Sequence, residues 1–415
     1  MVASNRLSAH EGHTLAIPDS EERVLRAGVL YGANGAGKSN LVKALAYVRS
    51  LARSARVRGD VTGREAFRLG SIENEPTGFD LQFIAGQRLY RFGVKVDDRR
   101  ISEEWLVRVV GGSETILYER LTDVEVPQCG KKLKALATVG APDNQTFLAT
   151  MAANLDEADL GDDIPRVLKW FSDGFKLIAP SNSYRALAGA LERAPDLLDF
   201  TGEYLRTAST GIDALKAARH EITEQEFRQL VPGDLPQVSN GQPVLLSLRM
   251  GDALLVERNG RNRYYQLGVR AVHRGENGEP VIFDLLEESD GTRRLLELIP
   301  AVHRASRDNS VFVIDEIDRS LHPLLARGFL KSFLDACAGS QSQLIVTTHE
   351  SSLLDQDLLR RDEIWFAEKD QASATHLYSL VDFKVRNDLE IRKHYLQGRF
   401  GAIPFVGGLE RLKDE

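Results

Sequence analysis

The sequence predicts an α/β fold that carries an antiparallel β subdomain and a helical insert. Three features predict it. Near the start, an apolar run at 24–31 reads as one buried strand and leads into Gly32-Ala33-Asn34-Gly35-Ala36-Gly37-Lys38-Ser39, after which Leu41, Val42, Leu45 and Val48 recur at helical spacing. In the last third, helical segments alternate with short apolar runs, as a parallel sheet with crossover helices requires. Between these regions the pattern changes first to short alternating runs and then to helical spacing.

The glycine-rich stretch fits G-x-x-x-x-G-K-[ST], a P-loop, so the fold class narrows to P-loop NTPase. Its glycines let the backbone curl until several N–H groups face one concavity, and the helix start below adds positive potential. Gly32, Asn34, Gly35, Gly37, Lys38, Ser39 and Asn40 are the expected nucleotide-binding residues. Lys38 would reach the β- and γ-phosphates of ATP, and Ser39 would ligate Mg²⁺.

From 78 to 122 the runs Phe79-Asp80-Leu81-Gln82-Phe83, 89–96, 105–110 and 116–121 are separated by polar or glycine-containing turns, which predicts an antiparallel meander. From 132 to 230 the reading is mainly helical, with helices at 165–174, 184–194 and 201–218 and a capping signature at Thr223-Glu224-Gln225-Glu226. Residues 232–243 read as a polar linker. Strands return at 244–249, 264–272 and 280–286. Residues 1–23 are polar and suggest no element. The domain division expected is 1–131 for the first half of the nucleotide-binding α/β domain with the meander, 132–235 for the insert and 236–415 for the second half of that domain.

The second half of a nucleotide site lies in that last segment. Val311-Phe312-Val313-Ile314-Asp315-Glu316 is an apolar strand ending in two carboxylates, a Walker B arrangement. Asp315 would hold Mg²⁺ through water, and Glu316 would polarise the attacking water. Leu344-Ile345-Val346-Thr347-Thr348 is a second apolar strand and ends at His349. Asp318 opens a polar turn before a helix at 323–338. Ser289 and Gly291 lie in Glu288-Ser289-Asp290-Gly291-Thr292, before another helix. That segment reads either as a cap for the helix N–H groups or as a second anion-binding helix start serving another subunit's nucleotide.

Composition bounds the rest. The chain has 415 residues, 42% hydrophobic and 27% charged, enough for more than one domain's worth of core. A net charge of −7 gives no overall basic footprint, so nucleic-acid binding stays open but is not indicated by charge. Cys129 and Cys337 form no metal or redox motif, consistent with a reduced, cytoplasmic setting. No apolar run approaches the roughly 20 residues a membrane span needs.

The order P-loop, Ser-x-Gly helix start, Asp-Glu strand and His strand resembles the ATPase heads of ABC and SMC-type proteins. In that resemblance Ser289 and Gly291 belong to the signature motif, Asp318 is the D-loop residue and His349 the switch histidine. The signature departs from the usual Leu-Ser-Gly-Gly. Gln82 and Gln87 are the candidates for a lid-loop glutamine.

Glu103-Glu104-Trp105-Leu106, Leu359-Arg360-Arg361-Asp362-Glu363-Ile364-Trp365-Phe366 and Tyr395-Leu396-Gln397-Gly398-Arg399-Phe400-Gly401-Ala402-Ile403-Pro404-Phe405 resemble bacterial AAA-family ATP-binding proteins of the ABC/SMC-like kind. Relatives of that group serve as ATPase subunits in antiphage abortive-infection systems such as PARIS and Septu-like systems, often encoded beside a nuclease or toxin. Members usually begin with a strand ahead of the segment found here at Met1, so either that strand is lost or the start codon is internal.

The resemblance implies an ATPase that sandwiches ATP between two heads of a homo-oligomer, with a nuclease or toxin effector encoded nearby and no membrane partner. Lys38, Ser39, Asp315, Glu316 and His349 would come from one subunit, and Ser289 and Gly291 from the other. The rival readings are a DNA-repair or DNA-end-binding SMC-like ATPase, a transporter ATPase and a non-hydrolysing nucleotide-gated scaffold. Missing long arms and acidic balance argue against the first, and the intact Glu316 against the last.

Overall fold

The computed structural model describes residues 1–70, 73–121, 123–127, 130–179, 184–230, 241, 244–247, 253–260, 263–285, 287–384 and 390–404. The chain forms two compact units. One holds Met1–Leu177, Asp308–Glu316 and Cys337–Glu415, the other Ile178–Arg307 and Ile317–Ala336.

The first unit is built on a six-stranded sheet. Its strands run in the spatial order Thr375–Ser379, Ile364–Lys369, Ala27–Tyr31, Gln343–Thr348, Val311–Ile314 and Phe175–Ile178. The four strands from Ile364–Lys369 to Val311–Ile314 are parallel neighbours, and Thr375–Ser379 closes one side antiparallel. Ala27–Tyr31 is buried at every residue, as a parallel strand covered on both faces must be.

The expected single strand at 24–31 is in fact two. Arg23–Leu25 pairs antiparallel with Thr14–Ala16, and Ala27–Tyr31 joins the main sheet. Arg26 makes the break: its buried guanidinium donates to the carbonyls of Gly12 (2.8 Å) and Ser340 (2.7 Å), and its backbone N–H donates to the carbonyl of His13 (2.8 Å). Residues 1–23 therefore do hold elements, a short 3-10 turn at Glu11–His13 and the strand Thr14–Ala16.

The meander is a five-stranded antiparallel sheet of Thr77–Ala85, Arg88–Val96, Ile101–Val110, Ser113–Arg120 and Val124–Glu125. Alternation puts Tyr90, Phe92, Val94 and Val96 on one buried face. They pack with Val42, Val48 and Leu51 of the helix Lys38–Arg53 and with Phe147 and Met151 of the helix Phe147–Asn154. Opposite Gly93 stands Trp105; a Cβ on Gly93 would lie 1.9 Å from the indole ring, so the strand needs glycine there.

Glu104 is fully buried in this core. Its carboxylate accepts from the N–H groups of Phe147 (2.6 Å) and Leu148 (3.1 Å) and from the Tyr118 hydroxyl (2.5 Å), with Arg120 at 4.0 Å. Burial pushes its carboxyl above the usual range, while these donors pull it back. The Glu-Glu-Trp-Leu motif thus has a structural content: Glu104 caps one helix from a neighbouring sheet, and Trp105 covers a glycine.

In the second unit the strands Ile212–Ile222, Arg263–Arg274, Ala253–Asn259 and Val244–Ser247 form an antiparallel sheet, with Pro280–Asp284 also paired to Arg263–Arg274. Two expectations fail here. The helix expected at 201–218 is a helix only as Pro195–Thr207; Ser209 (φ 57°) and Gly211 (φ 85°) turn the chain, and Ile212–Ile222 pairs antiparallel with Arg263–Arg274, with a register shift at Asp213. The strand Ala253–Asn259 has no counterpart among the expected elements. The capping signature is as expected, Thr223 N donating to Glu226 (2.7 Å) and Glu226 N to Thr223 (3.2 Å). Of the linker at 232–243 only residue 241 lies within the described residues, and Cys129 and Phe405 lie outside them.

Glu104→Ala should destabilise the protein by about 2–4 kcal/mol, because it orphans two buried helix N–H groups and a buried hydroxyl. Glu104→Gln, which keeps one acceptor oxygen, should cost less. Equilibrium denaturation measures both, and equal stability of Glu104→Ala and the parent would contradict the capping role.

Candidate functional site

The register of the parallel strands brings the polar residues together. Tyr31 pairs with Thr348 and Ile314 with Val346, so the residues that follow each strand emerge at one edge of the sheet. In open α/β sheets, ligands bind in the crevice outside the carboxyl ends of the strands, which is that edge. The P-loop leaves it from Tyr31, Asp315 and Glu316 from Ile314, and His349 from Thr348.

The loop itself needs its glycines. Gly35 (φ 76°) and Gly37 (φ 100°) are left-handed, and Gly37 is the residue before the helix Lys38–Arg53. A Cβ on Gly37 would lie 2.1 Å from the Thr375 hydroxyl, and one on Gly32 would lie 2.7 Å from the Ala367 carbonyl. The same Thr375 hydroxyl donates to the Ala36 carbonyl (2.9 Å). The hairpin of Ile364–Lys369 and Thr375–Ser379 therefore braces the loop from behind, and at the helix start the N–H groups of Asn40 (3.0 Å) and Leu41 (3.3 Å) donate to the Gly37 carbonyl.

Lys38 is buried at 5% exposure, yet its ammonium is well provided for. Nζ donates to the carbonyls of Gly32 (2.7 Å) and Ala33 (3.2 Å) and lies 3.3 Å from His349 Nδ1. An ammonium can only donate, so Nδ1 accepts and the proton of the neutral ring sits on Nε2. Lys38 and His349, far apart in sequence, are in direct contact.

Asp315 (8% exposed) and Glu316 are held by one residue of the next strand. The Thr347 hydroxyl donates to Asp315 Oδ1 (2.5 Å) and accepts from Glu316 N (2.8 Å). Glu316 has φ 48°, a left-handed backbone uncommon for a side-chain-bearing residue and frequent at functional sites.

Ser289, Gly291 and Asp318 lie in the second unit. Ser289 caps the helix Asp290–Ala305, accepting from Thr292 N (3.1 Å). A Cβ on Gly291 would lie 2.8 Å from the Ser320 carbonyl, so the small residue lets this helix start close on the turn that follows Asp318. Asp318 sits in that turn, its carbonyl accepting from Leu321 N (3.0 Å). Of the two lid candidates, Gln87 (φ 64°) forms the tip of a meander hairpin, and Gln82 borders a small cavity with Leu45, Phe83, Val311 and Ile345.

The family described as "AAA domain, putative AbiEii toxin, Type IV TA system" matches residues 29–123 and 152–355, most of the chain. The chain belongs to this family. It is an AAA protein, and its P-loop follows the strand Ala27–Tyr31 of a parallel-stranded α/β sheet. The solved structures similar to it include the "SmcHead bound to the C-winged helix domain of ScpA" (14% identity, 88% of this chain and 96% of that one, TM-score 0.40). The SMC head domain from Thermotoga maritima aligns at 12% identity over 88% and 96% (TM-score 0.35). An Smc head with an extended coiled coil, bound to the C-terminal domain of ScpA derived from Pyrococcus furiosus, aligns at 11% over 89% and 96% (TM-score 0.33). Among curated proteins none matches the sequence.

In this AAA-family chain the two remaining motifs have clear places. Arg360 forks onto Asp362 (2.9 Å twice) and donates to the Ala9 carbonyl (2.7 Å); Asp362 accepts from Ser4 N (2.7 Å), and Glu363 meets His13 (3.0 Å). They fasten the N-terminal segment to the edge of the sheet. The 395–404 segment is a self-bracing turn: Tyr395 donates to the Ala402 carbonyl (3.1 Å), Phe400 packs on Phe366 and Phe383, and Gly398 and Gly401 are left-handed. Its Tyr395, Ile403 and Pro404 join Asn34 and His349 around a cavity of about 390 Å³ beside the P-loop.

Sequence reasoning missed Thr347, Thr375 and this C-terminal wall. Thr347 carries a signal, a hydroxyl in an otherwise apolar run two residues before His349. Thr375 carries none, since its partner lies 339 residues away.

Gly37→Ala would force a side chain into left-handed backbone, at roughly 1–2 kcal/mol, and into Thr375. Nucleotide affinity should fall about tenfold or more by equilibrium titration with a fluorescent ATP analogue. Parental affinity in this variant would show that the loop conformation does not govern binding.

Proposed function

We propose that this protein is an ATP-hydrolysing, nucleotide-gated ATPase whose heads pair across ATP, and that it controls an effector in antiphage defence. The observation that carries the catalytic part is the convergence of Lys38, Asp315, Glu316 and His349 at one sheet edge, with Lys38 touching His349 and Thr347 holding both carboxylate residues. The family's description, a putative AbiEii toxin of a type IV toxin–antitoxin system, supports the defence setting.

The residues present fit Mg²⁺–ATP. The ammonium of Lys38 already rests on loop carbonyls at the mouth of a glycine-shaped concavity, and the helix start beneath favours an anion. Gly32, Asn34, Gly35, Gly37, Lys38, Ser39 and Asn40 would hold the phosphates, and Ser39 and Asp315 the cation. When bound, Mg²⁺–ATP supplies the terminal phosphoryl group that is transferred to water. Glu316 orients that water and takes its proton, and the His349 ring, in contact with Lys38, would stand beside the developing charge. Lys38 neutralises phosphate charge, which weakens its hold on His349 and couples loading of the loop to the position of the histidine.

Ser289 and Gly291 on the exposed start of their helix, with Asp318, would complete the site of a second copy. The meander and the insert at 132–235 would carry partner recognition. ATP closes such a dimer and hydrolysis opens it, because only the triphosphate is shared by both faces.

Glu316→Gln keeps the shape and removes the base. ATP should still bind, turnover should fall by roughly 10²-fold or more, and the protein should accumulate as an ATP-bound dimer. A parental rate of phosphate release would overturn the assignment of Glu316.

Ser289→Arg should bind ATP normally and fail to hydrolyse it. Mixed with Lys38→Ala it should regain part of the activity, since a mixed dimer has one site free of both changes. Loss of ATP binding by Ser289→Arg alone would place the signature in the same subunit's site.

A further inference from the structure

We propose that Thr347 is the positioning residue that sets the geometry of the Asp315–Glu316 pair; this rests on the ATPase reading above. Thr347 is fully buried on the strand Gln343–Thr348, beside the strand that ends at Ile314. Its hydroxyl has one proton, and both neighbours dictate how it is used. The N–H of Glu316 can only donate, so the hydroxyl offers it a lone pair (2.8 Å). A carboxylate can only accept, so the proton goes to Asp315 Oδ1 (2.5 Å).

One side chain thereby fixes two quantities. The bond to Oδ1 sets the rotation of the Asp315 carboxylate and hence the direction of its second oxygen, the orientation a cation ligand must hold. The bond to Glu316 N stabilises the left-handed backbone at φ 48°, which decides where the Glu316 side chain leaves the sheet. Packing does not ask for a hydroxyl here. Valine has the same shape, suits a buried parallel strand and avoids desolvating a polar group. The adjacent Thr348 has a different task, accepting from Glu350 N (3.0 Å) in the turn after His349. The two threonines before His349 are therefore not interchangeable: one orients the carboxylates, and the other shapes the turn.

The test uses the full chain with Thr347→Val, Thr347→Ala, Thr347→Ser and, as a reference, Glu316→Gln. ATP affinity, steady-state hydrolysis and its Mg²⁺ dependence are measured for each, with thermal melting to confirm folding. Thr347→Val should bind ATP within about threefold of the parent, since the phosphates rest on the loop. Its kcat should fall at least tenfold, and half-saturation by Mg²⁺ should rise severalfold. Thr347→Ser, which restores the hydroxyl, should return kcat to within about threefold of the parent.

A folded Thr347→Val with parental kcat and Mg²⁺ response overturns the proposal. So does a Thr347→Ser as slow as Thr347→Ala, which would mark a packing role; this pair carries the test if Thr347→Val does not fold. Glu316→Gln separates the two levels of the argument. If it is inactive while Thr347→Val is active, only the positioning role fails. If Glu316→Gln hydrolyses ATP at the parental rate, the assignment of Glu316 as the base fails, and if the parent chain itself releases no phosphate from ATP, the ATPase reading fails.

Discussion

The ladder of Ala27–Tyr31, Gln343–Thr348 and Val311–Ile314 is the constraint on which the rest depends. These strands come from opposite ends of the chain and are apolar enough to be buried on both faces. Each ends at the same edge and hands over at once to a polar segment: the P-loop, His349 or the Asp315–Glu316 pair. A slip of one residue in either pairing would put alternate side chains on the wrong face and move the ends by a full strand rise of about 3.3 Å. That exceeds the tolerance of the Lys38–His349 and Thr347–Asp315 contacts. The hydrophobic pattern of the three strands is therefore also the alignment device of the site.

Burying charged groups at this edge demands partners, and the sheet supplies them from its own ends. Lys38 is satisfied by loop carbonyls that curl back because Gly35 and Gly37 permit it. Asp315 is satisfied by a hydroxyl one strand away. Each polar group is thus met by an element whose position the same ladder fixes. Deleting one partner leaves a buried charge or dipole unmatched, which costs more than the bond itself contributes. The polar groups of the site are thus held by the fold itself, and such preorganisation would serve the proposed phosphoryl transfer, a reaction that depends mainly on positioning and electrostatics.

Much of this is legible in the sequence because it is local. The P-loop is a contiguous pattern, the meander strands alternate with period two, and the Thr223 capping box spans four residues. The failures are cases where distant residues decide. Residues 212–222, Ile-Asp-Ala-Leu-Lys-Ala-Ala-Arg-His-Glu-Ile, are rich in good helix formers and their first part reads as helix, yet they pair along their length with Arg263–Arg274. Tertiary pairing outweighs a propensity worth only tenths of a kcal/mol per residue. Likewise Arg26, by sequence, is an interruption tolerated within one strand. It ends one sheet and starts another because its guanidinium is bound by carbonyls of Gly12 and Ser340.

The motifs that carry the family resemblance divide into two physical kinds. The P-loop and the acidic strand end would carry the proposed chemistry, and their residue types suit phosphate and cation binding. Glu104-Trp105, Arg360-Asp362-Glu363 and the 395–404 turn instead fasten elements: a helix start, the N-terminal segment and the wall of the P-loop cavity. A buried carboxylate or guanidinium in such a role has few substitutes, because removing it leaves several donors or acceptors stranded at once. Specific residue types therefore arise at fastening points as readily as at reacting ones, and a motif by itself does not say which it is. Thr347 sits between the two kinds. It fastens like Glu104, with two hydrogen bonds from a buried position, but what it fastens is the carboxylate pair that the chemistry would use.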